Sequence, residues 1–236
     1  TYGANYKASL ILERLGVTFT WLNADDADHI GQHLQKNTRM VFLETPSNPL
    51  CKIIDIPAIR RAADAVGALV VADNTFATPY HQNPLTLGAD LVVHSATKAL
   101  GGHNDLMAGA IAGSKEHYNR LWFTRQAIGT TLDAYSAFLL DRGLKTFELR
   151  AAAMARGAQE MAEFLECHPV ASRVSYPGLP SHPGHDAAAR QMRRGFGGMI
   201  AFDVGAEEED AKRFVAALNR ISHAVNIEVS LDDLFQ

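Results

Sequence analysis

The stretch ALVVADNTFATPYHQNPLTLGADLVVHSATK, residues 68–98, holds two apolar runs, ALVVAD (68–73) and ADLVVHS (89–95), each ending in polar residues. Both read as short buried strands. Outward from them, VTFTWL (17–22) and RMVFLE (39–44) are further strand candidates and AGAIAG (108–113) a weaker fifth. Between these runs, residues 4–15, 28–36 and 56–66 carry apolar side chains at helical spacing. Such alternation predicts an α/β fold with a mainly parallel sheet covered by helices on both faces. In that architecture function gathers at the carboxyl ends of the strands. Glu44, Asp73 and Ser95 each end a strand, so the segments after them share one edge of the sheet, and Lys98, three residues past Ser95, joins them.

Past Asp133 the pattern changes. A long helical region (133–166), broken near Arg142 and Gly143, leads into ASRVSYPGL, the loop PSHPGHD, the strand GGMIAFDV and a helix over 207–221. This predicts a large domain over residues 1–145 and a smaller C-terminal α/β domain over 146–236. With 236 residues, 47% of them hydrophobic, the chain can bury one large core and part of a second. A net charge of −4 with scattered basic residues leaves no footprint for nucleic acid. No stretch of about 20 apolar residues exists to span a bilayer, and the start, TYGANYKAS, lacks signal-peptide features. A soluble, cytoplasmic protein is expected. Cys51 and Cys167, far apart in sequence, fit neither a disulfide framework nor a zinc ribbon and are expected to be reduced thiols.

The polar residues at the predicted edge each have a plain reading. A carboxylate ending a buried strand, such as Asp73, is costly to desolvate unless it meets a cation, but it can also cap a turn. Lys98 follows Asp73 by 25 residues and faces the same cleft, so an ordinary ion pair is one explanation. Asn48 precedes Asp73 by the same interval and adds an amide, although SNP is also a common turn sequence. Ser95 and Thr97 can cap the turn. The loop residues Gly101, Gly102, His103, Asn104 and Asp105 allow close backbone approach, yet no G-x-G-x-x-G follows a strand and no Walker A sequence is present. A nucleotide enzyme is not expected. His182 and His185 have the spacing of a metal pair without a third ligand, and read as solvated loop histidines. Trp21 and Trp122 read as core or interface residues.

Taken together and in order, YGANY (2–6), ETPSNP (44–49), ADNTFATP (72–79), HSATKALGGHND (94–105), RGLKTFELR (142–150), YPGL (176–179) and GGMIAFD (197–203) resemble the pyridoxal-phosphate enzymes of cysteine and methionine metabolism. This is the cystathionine γ-synthase and γ-lyase family, which also includes methionine γ-lyase. The resemblance covers nearly the whole chain and implies the fold-type-I pyridoxal-phosphate transferase architecture. It implies that Lys98 is the lysine whose amine condenses with the cofactor aldehyde and later moves protons between substrate carbons, which an arginine could not do. Asp73 would pair with the pyridine nitrogen and keep it protonated, so that the ring accepts electrons when Cα loses its proton. Ser95 and Thr97 would donate hydrogen bonds to the phosphate. Tyr2 corresponds to a catalytic tyrosine that stacks on the ring, and Asn48 to an asparagine near the phenolic oxygen and the substrate carboxylate.

Within the family, GGHND resembles cystathionine γ-synthases, whereas methionine γ-lyases carry a cysteine where this chain has Ala4. The resemblance therefore implies γ-replacement or γ-elimination on sulfur amino acids or O-acylhomoserine, closest to cystathionine γ-synthase, with cystathionine γ-lyase and methionine γ-lyase as alternatives. A non-catalytic scaffold keeping the fold is an alternative of another class, against which the joint presence of Lys98, Asp73, Ser95 and Thr97 argues. The partners implied are a small amino-acid substrate and further copies of the chain. In the family a neighbouring subunit's N-terminal segment, preceding Tyr2, adds a tyrosine and an arginine to the phosphate site, so a homotetramer with sites at subunit interfaces is expected. The segment SHAVN (222–226) leads, in the family, into a longer region carrying the arginine that grips the substrate carboxylate. Here IEVSLDDLFQ follows, without an arginine, so a missing segment between Asn226 and Ile227 is expected.

Overall fold

The computed structural model describes residues 3–205 and 207–224. Strands β1 (Met40–Glu44), β2 (Leu69–Asp73) and β3 (Leu91–Ser95) run parallel in spatial order β1-β2-β3, with β4 (Gly109–Gly113) antiparallel on the outer side of β3. The register sets Glu44 beside Asp73 and Asp73 beside Val93, which brings three strand ends to one edge. Val70, Val71, Ala72 and Val92 are buried, the continuous apolar run that a doubly covered strand requires.

Helix α1 (Gly3–Glu13) and a 3₁₀ helix over Ala24–Gln32 precede β1, while α2 (Ile56–Asp64), α3 (Thr78–His81) and a one-turn 3₁₀ helix over Pro84–Leu87 connect the strands. Helix α2 shows how the sequence places them. Asp55 Oδ1 accepts the Ala58 N–H at 2.8 Å, and Pro57 lies in the first turn, where its missing N–H costs nothing. The inner face of α2, Ile56, Ile59 and Ala63, packs on Val41, Leu43 and Val70. At the amino ends of the strands Asp90 closes the sheet, its Oδ2 accepting from both Arg60 Nη1 and the Val70 N–H at 2.7 Å.

The remaining elements are α4 (Lys115–Ile128), α5 (Ala134–Leu144), α6 (Phe147–Glu166), β5 (Ala171–Ser175), α7 (His185–Gln191), β6 (Ala201–Val204) and α8 (Glu208–Ala224). Strands β5 and β6 form a separate antiparallel pair. Helix α6 buries Ala151, Ala155, Ala158, Ala162 and Leu165, whose alternating spacing of four and three residues makes one stripe. Small side chains there admit the fully buried Tyr176, whose hydroxyl donates to the Gly197 carbonyl at 3.0 Å.

Several expectations need correction. Residues 17–22 are not a strand: among the described residues they pair with none, and Phe19 and Trp21 stack on each other at 5.9 Å, with Tyr6 5.7 Å from Trp21. β propensity expresses itself only where a neighbour accepts the backbone bonds. The helix expected over 28–36 is replaced by the 3₁₀ segment, and the break in the long helical region falls at Lys145 and Thr146 rather than at Arg142 and Gly143. AGAIAG joins the sheet in the opposite sense. His182 is buried rather than solvated, and α7 begins inside the expected loop, at His185. Trp21 and Trp122 are 47% and 40% exposed, so neither is a core residue of the described chain. Tyr2 and the Asn226–Ile227 junction lie outside the described residues.

Candidate functional site

The carboxyl edge of the sheet is built differently from the amino edge. Asp73 ends β2, and its Oδ1 accepts the Thr75 N–H at 2.9 Å. Thr75 Oγ1 in turn accepts the Ser95 N–H at 2.8 Å, which ties the exits of β2 and β3 together. Beneath them lies a buried amide pair. Asn74 Nδ2 donates to the Gln82 carbonyl at 2.9 Å, while Gln82 Nε2 donates to Asn74 Oδ1 at 2.9 Å and to the Thr45 carbonyl at 3.1 Å. These bonds fix the position of the strand end that presents Asp73. His94, buried on β3, is held below its ordinary pKa by burial, with the Asp73 charge acting in the opposite direction.

Lys98 sits in the turn after β3. Its N–H donates to the Ser95 carbonyl at 3.1 Å and its own carbonyl accepts from Gly102 N–H at 2.8 Å. Among the described residues the Lys98 ammonium forms no ion pair, so the plain Asp73–Lys98 bridge does not occur. The lysine instead lines a cavity of about 450 Å³ with Thr97, Gly102, Asn104, Arg150 and Met154. Ser95 stands at the same edge, its hydroxyl without a hydrogen-bond partner among the described residues. The Thr97 hydroxyl is occupied: it accepts the Ala108 N–H at 2.9 Å and donates to the Ala108 carbonyl at 3.3 Å. Asn48 lies past the end of β1, its N–H bound to Glu44 Oε1 at 2.8 Å. Cys51 is buried, and desolvation pushes its thiol up to about 11, which removes it as a nucleophile.

This donor set fits the cofactor implied by the sequence. An uncommitted primary amine suits an aldehyde, a carboxylate with one oxygen already fixed by a backbone N–H suits a protonated ring nitrogen, and hydroxyls beside the amine suit a phosphate. The amino edge makes the contrast, since there the charges of Asp90 and Arg60 are paired with each other.

Two features were not legible in the sequence. Thr75 bridges the strand exits, and its signal was a hydroxyl two residues beyond a strand-ending carboxylate. The motif RGLKTFELR fixes the lysine loop from a distance: Arg142 pairs with Asp105 at 2.7 Å, and Arg150 donates to the Ala99 and Gly143 carbonyls at 2.7 and 2.8 Å. No spacing rule connects residue 150 to residue 99.

Comparison with known proteins gives a consistent picture. The family model described as Cys/Met metabolism PLP-dependent enzyme matches residues 1–229. Cystathionine gamma-lyase of Bacillus subtilis (strain 168) is 44% identical over 209 residues, which cover 88% of this chain and 55% of that protein. Cystathionine beta-lyase of Lactococcus lactis subsp. cremoris (strain MG1363) is 42% identical over 228 residues, 96% of this chain and 60% of that protein. The crystal structure of metB from Corynebacterium glutamicum aligns with a TM-score of 0.87 at 39% identity, over 91% of this chain and 56% of that one. The chain thus spans a little over half the length of these relatives.

Proposed function

The chain belongs to the Cys/Met metabolism PLP-dependent enzymes, and on that premise we propose that the protein catalyses γ-replacement or γ-elimination on sulfur amino acids or O-acylhomoserine, with cystathionine γ-synthase chemistry foremost. The observation that carries this reading is Lys98 itself: an amine unpaired among the described residues, lining a cavity of about 450 Å³, at the sheet edge that also presents Asp73.

Pyridoxal phosphate, when bound, supplies the electron sink that makes the substrate Cα–H acidic. Lys98 is the residue that would hold the cofactor, through its aldehyde carbon. Its freed Nζ would take the Cα proton and, once it has passed that proton on and is neutral again, could take one from Cβ for chemistry at Cγ. Asp73, its orientation fixed by the Thr75 N–H, would keep the ring nitrogen protonated. Ser95 offers its hydroxyl to the phosphate. Thr97 does so by giving up its longer bond to the Ala108 carbonyl while keeping the one from the Ala108 N–H. Tyr2 is the residue proposed to stack on the ring, and Asn48 the one proposed to serve its phenolic oxygen and the substrate carboxylate.

The lyase reading competes because relatives of nearly equal identity are named cystathionine gamma-lyase and beta-lyase. Product analysis of the full-length protein with cystathionine, methionine, and O-acylhomoserine plus cysteine separates the two. Cystathionine formed from O-acylhomoserine and cysteine supports the synthase; pyruvate or 2-oxobutyrate released from cystathionine makes it a lyase. A cofactor that borohydride does not attach to Lys98, or near-normal turnover by Lys98→Ala, overturns both and favours a scaffold.

The same proposal includes a cytoplasmic location and a homotetramer of two active dimers with sites at subunit interfaces. Large apolar side chains left exposed on and after α1, among them Ile11, Leu15 and Trp21, support the assembly. Sedimentation of the full-length protein as a monomer would contradict it.

A further inference from the structure

We propose that Arg150 is a positioning residue for Lys98, its guanidinium clamping the turn that carries the reactive amine; this rests on the reading of Lys98 given above. The turn satisfies only part of its own backbone. Gly101 N–H reaches the Ala96 carbonyl and Gly102 N–H the Lys98 carbonyl, both at 2.8 Å. The carbonyls of Ala99 and Leu100, immediately after the lysine, receive no backbone N–H among the described residues. Arg150 fills both positions, with Nη1 on Ala99 at 2.7 Å and Nη2 on Leu100 at 3.4 Å.

The same guanidinium reaches in the other direction. Nη2 donates to the Gly143 carbonyl at 2.8 Å and Nε to Thr146 Oγ1 at 3.1 Å. Gly143 lies in the last turn of α5, where the dipole favours a cation, and its carbonyl accepts a long bond of 3.3 Å from the Thr146 N–H besides that of Arg150. One planar group thus joins the lysine turn to the α5–α6 junction. Among the described residues it has no carboxylate partner, so its donors are spent on these neutral oxygens. Two glycines make the approach possible. A Cβ at Gly102, which has φ of 76°, would overlap the guanidinium, and a Cβ at Gly143 would overlap the Gly101 carbonyl. A lysine could not replace this clamp, because three donors on a single atom do not span acceptors on opposite sides.

The test compares full-length wild type with Arg150→Met, Arg150→Lys and Gly102→Ala, the last displacing the clamp from the loop side should the methionine variant not fold. Hydrogen exchange of the cofactor-free proteins reads the amides of Gly101 and Gly102 against those of β1 and β2. Absorbance titration with pyridoxal phosphate gives the affinity. The expected result is exchange in the turn accelerated about tenfold or more, the loss of one charge-assisted hydrogen bond, with the strands unchanged. Cofactor affinity should fall in parallel, with Arg150→Lys intermediate. Weaker binding without faster exchange in the turn would overturn the proposal by making Arg150 a ligand contact. Faster exchange throughout the sheet, or no change anywhere, would overturn it as well. If the wild type binds no pyridoxal phosphate, the functional reading fails, while the exchange of the turn still reports on the clamp.

Discussion

Thr75 has no reactive group suited to the proposed chemistry, yet it joins the two strands between which the site is divided. Its N–H orients Asp73 and its Oγ1 receives the N–H of Ser95, three residues before the lysine. Valine has nearly the same shape and keeps the backbone N–H, so Thr75→Val removes one acceptor and little else. The Ser95 N–H would then be left in a partly buried position without a partner, at a cost of roughly 1 kcal/mol or more. Urea unfolding of the cofactor-free protein should show that loss, and Thr75→Ser should recover most of it. A valine variant as stable as wild type would mean that water takes over the bond and that Thr75 is not a structural link.

At the level of elements, the strands β1 to β3 and helix α2 were legible because local pattern determined them: buried valines at successive positions, an aspartate cap and a proline in the first helical turn. The position of Asp73, Ser95 and Lys98 on one edge followed directly from that reading. The direction of β4 did not, because it depends on the path of residues 96–108, which return the chain without the helical crossover that a parallel strand needs. Residues 17–22 have strand composition and no strand partner among the described residues, a fact about the rest of the molecule and not about the run itself. Whether Lys98 was spent on Asp73 or left free likewise required coordinates. The Arg150 contacts were invisible for a related reason: they are side chain to carbonyl, across about fifty positions, and leave no periodic trace.

The whole molecule carries a pH sensitivity that arises chiefly from burial, helped at His182 by the neighbouring His185 charge. His81, His94 and His182 are 2%, 8% and 5% exposed, and burial is the first cause that holds each below the ordinary 6.5. Attractions oppose it only in part, from the Asp73 charge at His94 and from backbone hydrogen bonds at His81 and His182. In the unfolded chain all three take up protons near pH 6.5, while the folded chain resists. Between that value and their depressed folded values the unfolded state binds more protons, so stability is fully present above pH 6.5 and declines as pH falls. The slope reaches at most about 1.4 kcal/mol per pH unit for each histidine. Asp133 and Glu208 are lowered from 3.8 and 4.5 and so act in a more acidic range, and Lys212 is raised from 10.5, far on the alkaline side. The contribution of the three histidines therefore sets in as pH falls through 6.5. His182→Asn isolates one of them, because an amide oxygen can stand where Nδ1 now accepts the Gly184 N–H at 3.0 Å. Urea midpoints of the cofactor-free protein should fall from pH 7 to 5.5, and fall less steeply in the variant. Parallel curves for the two proteins would show that His182 is protonated in the folded state as readily as in the unfolded one, and would remove it from this account.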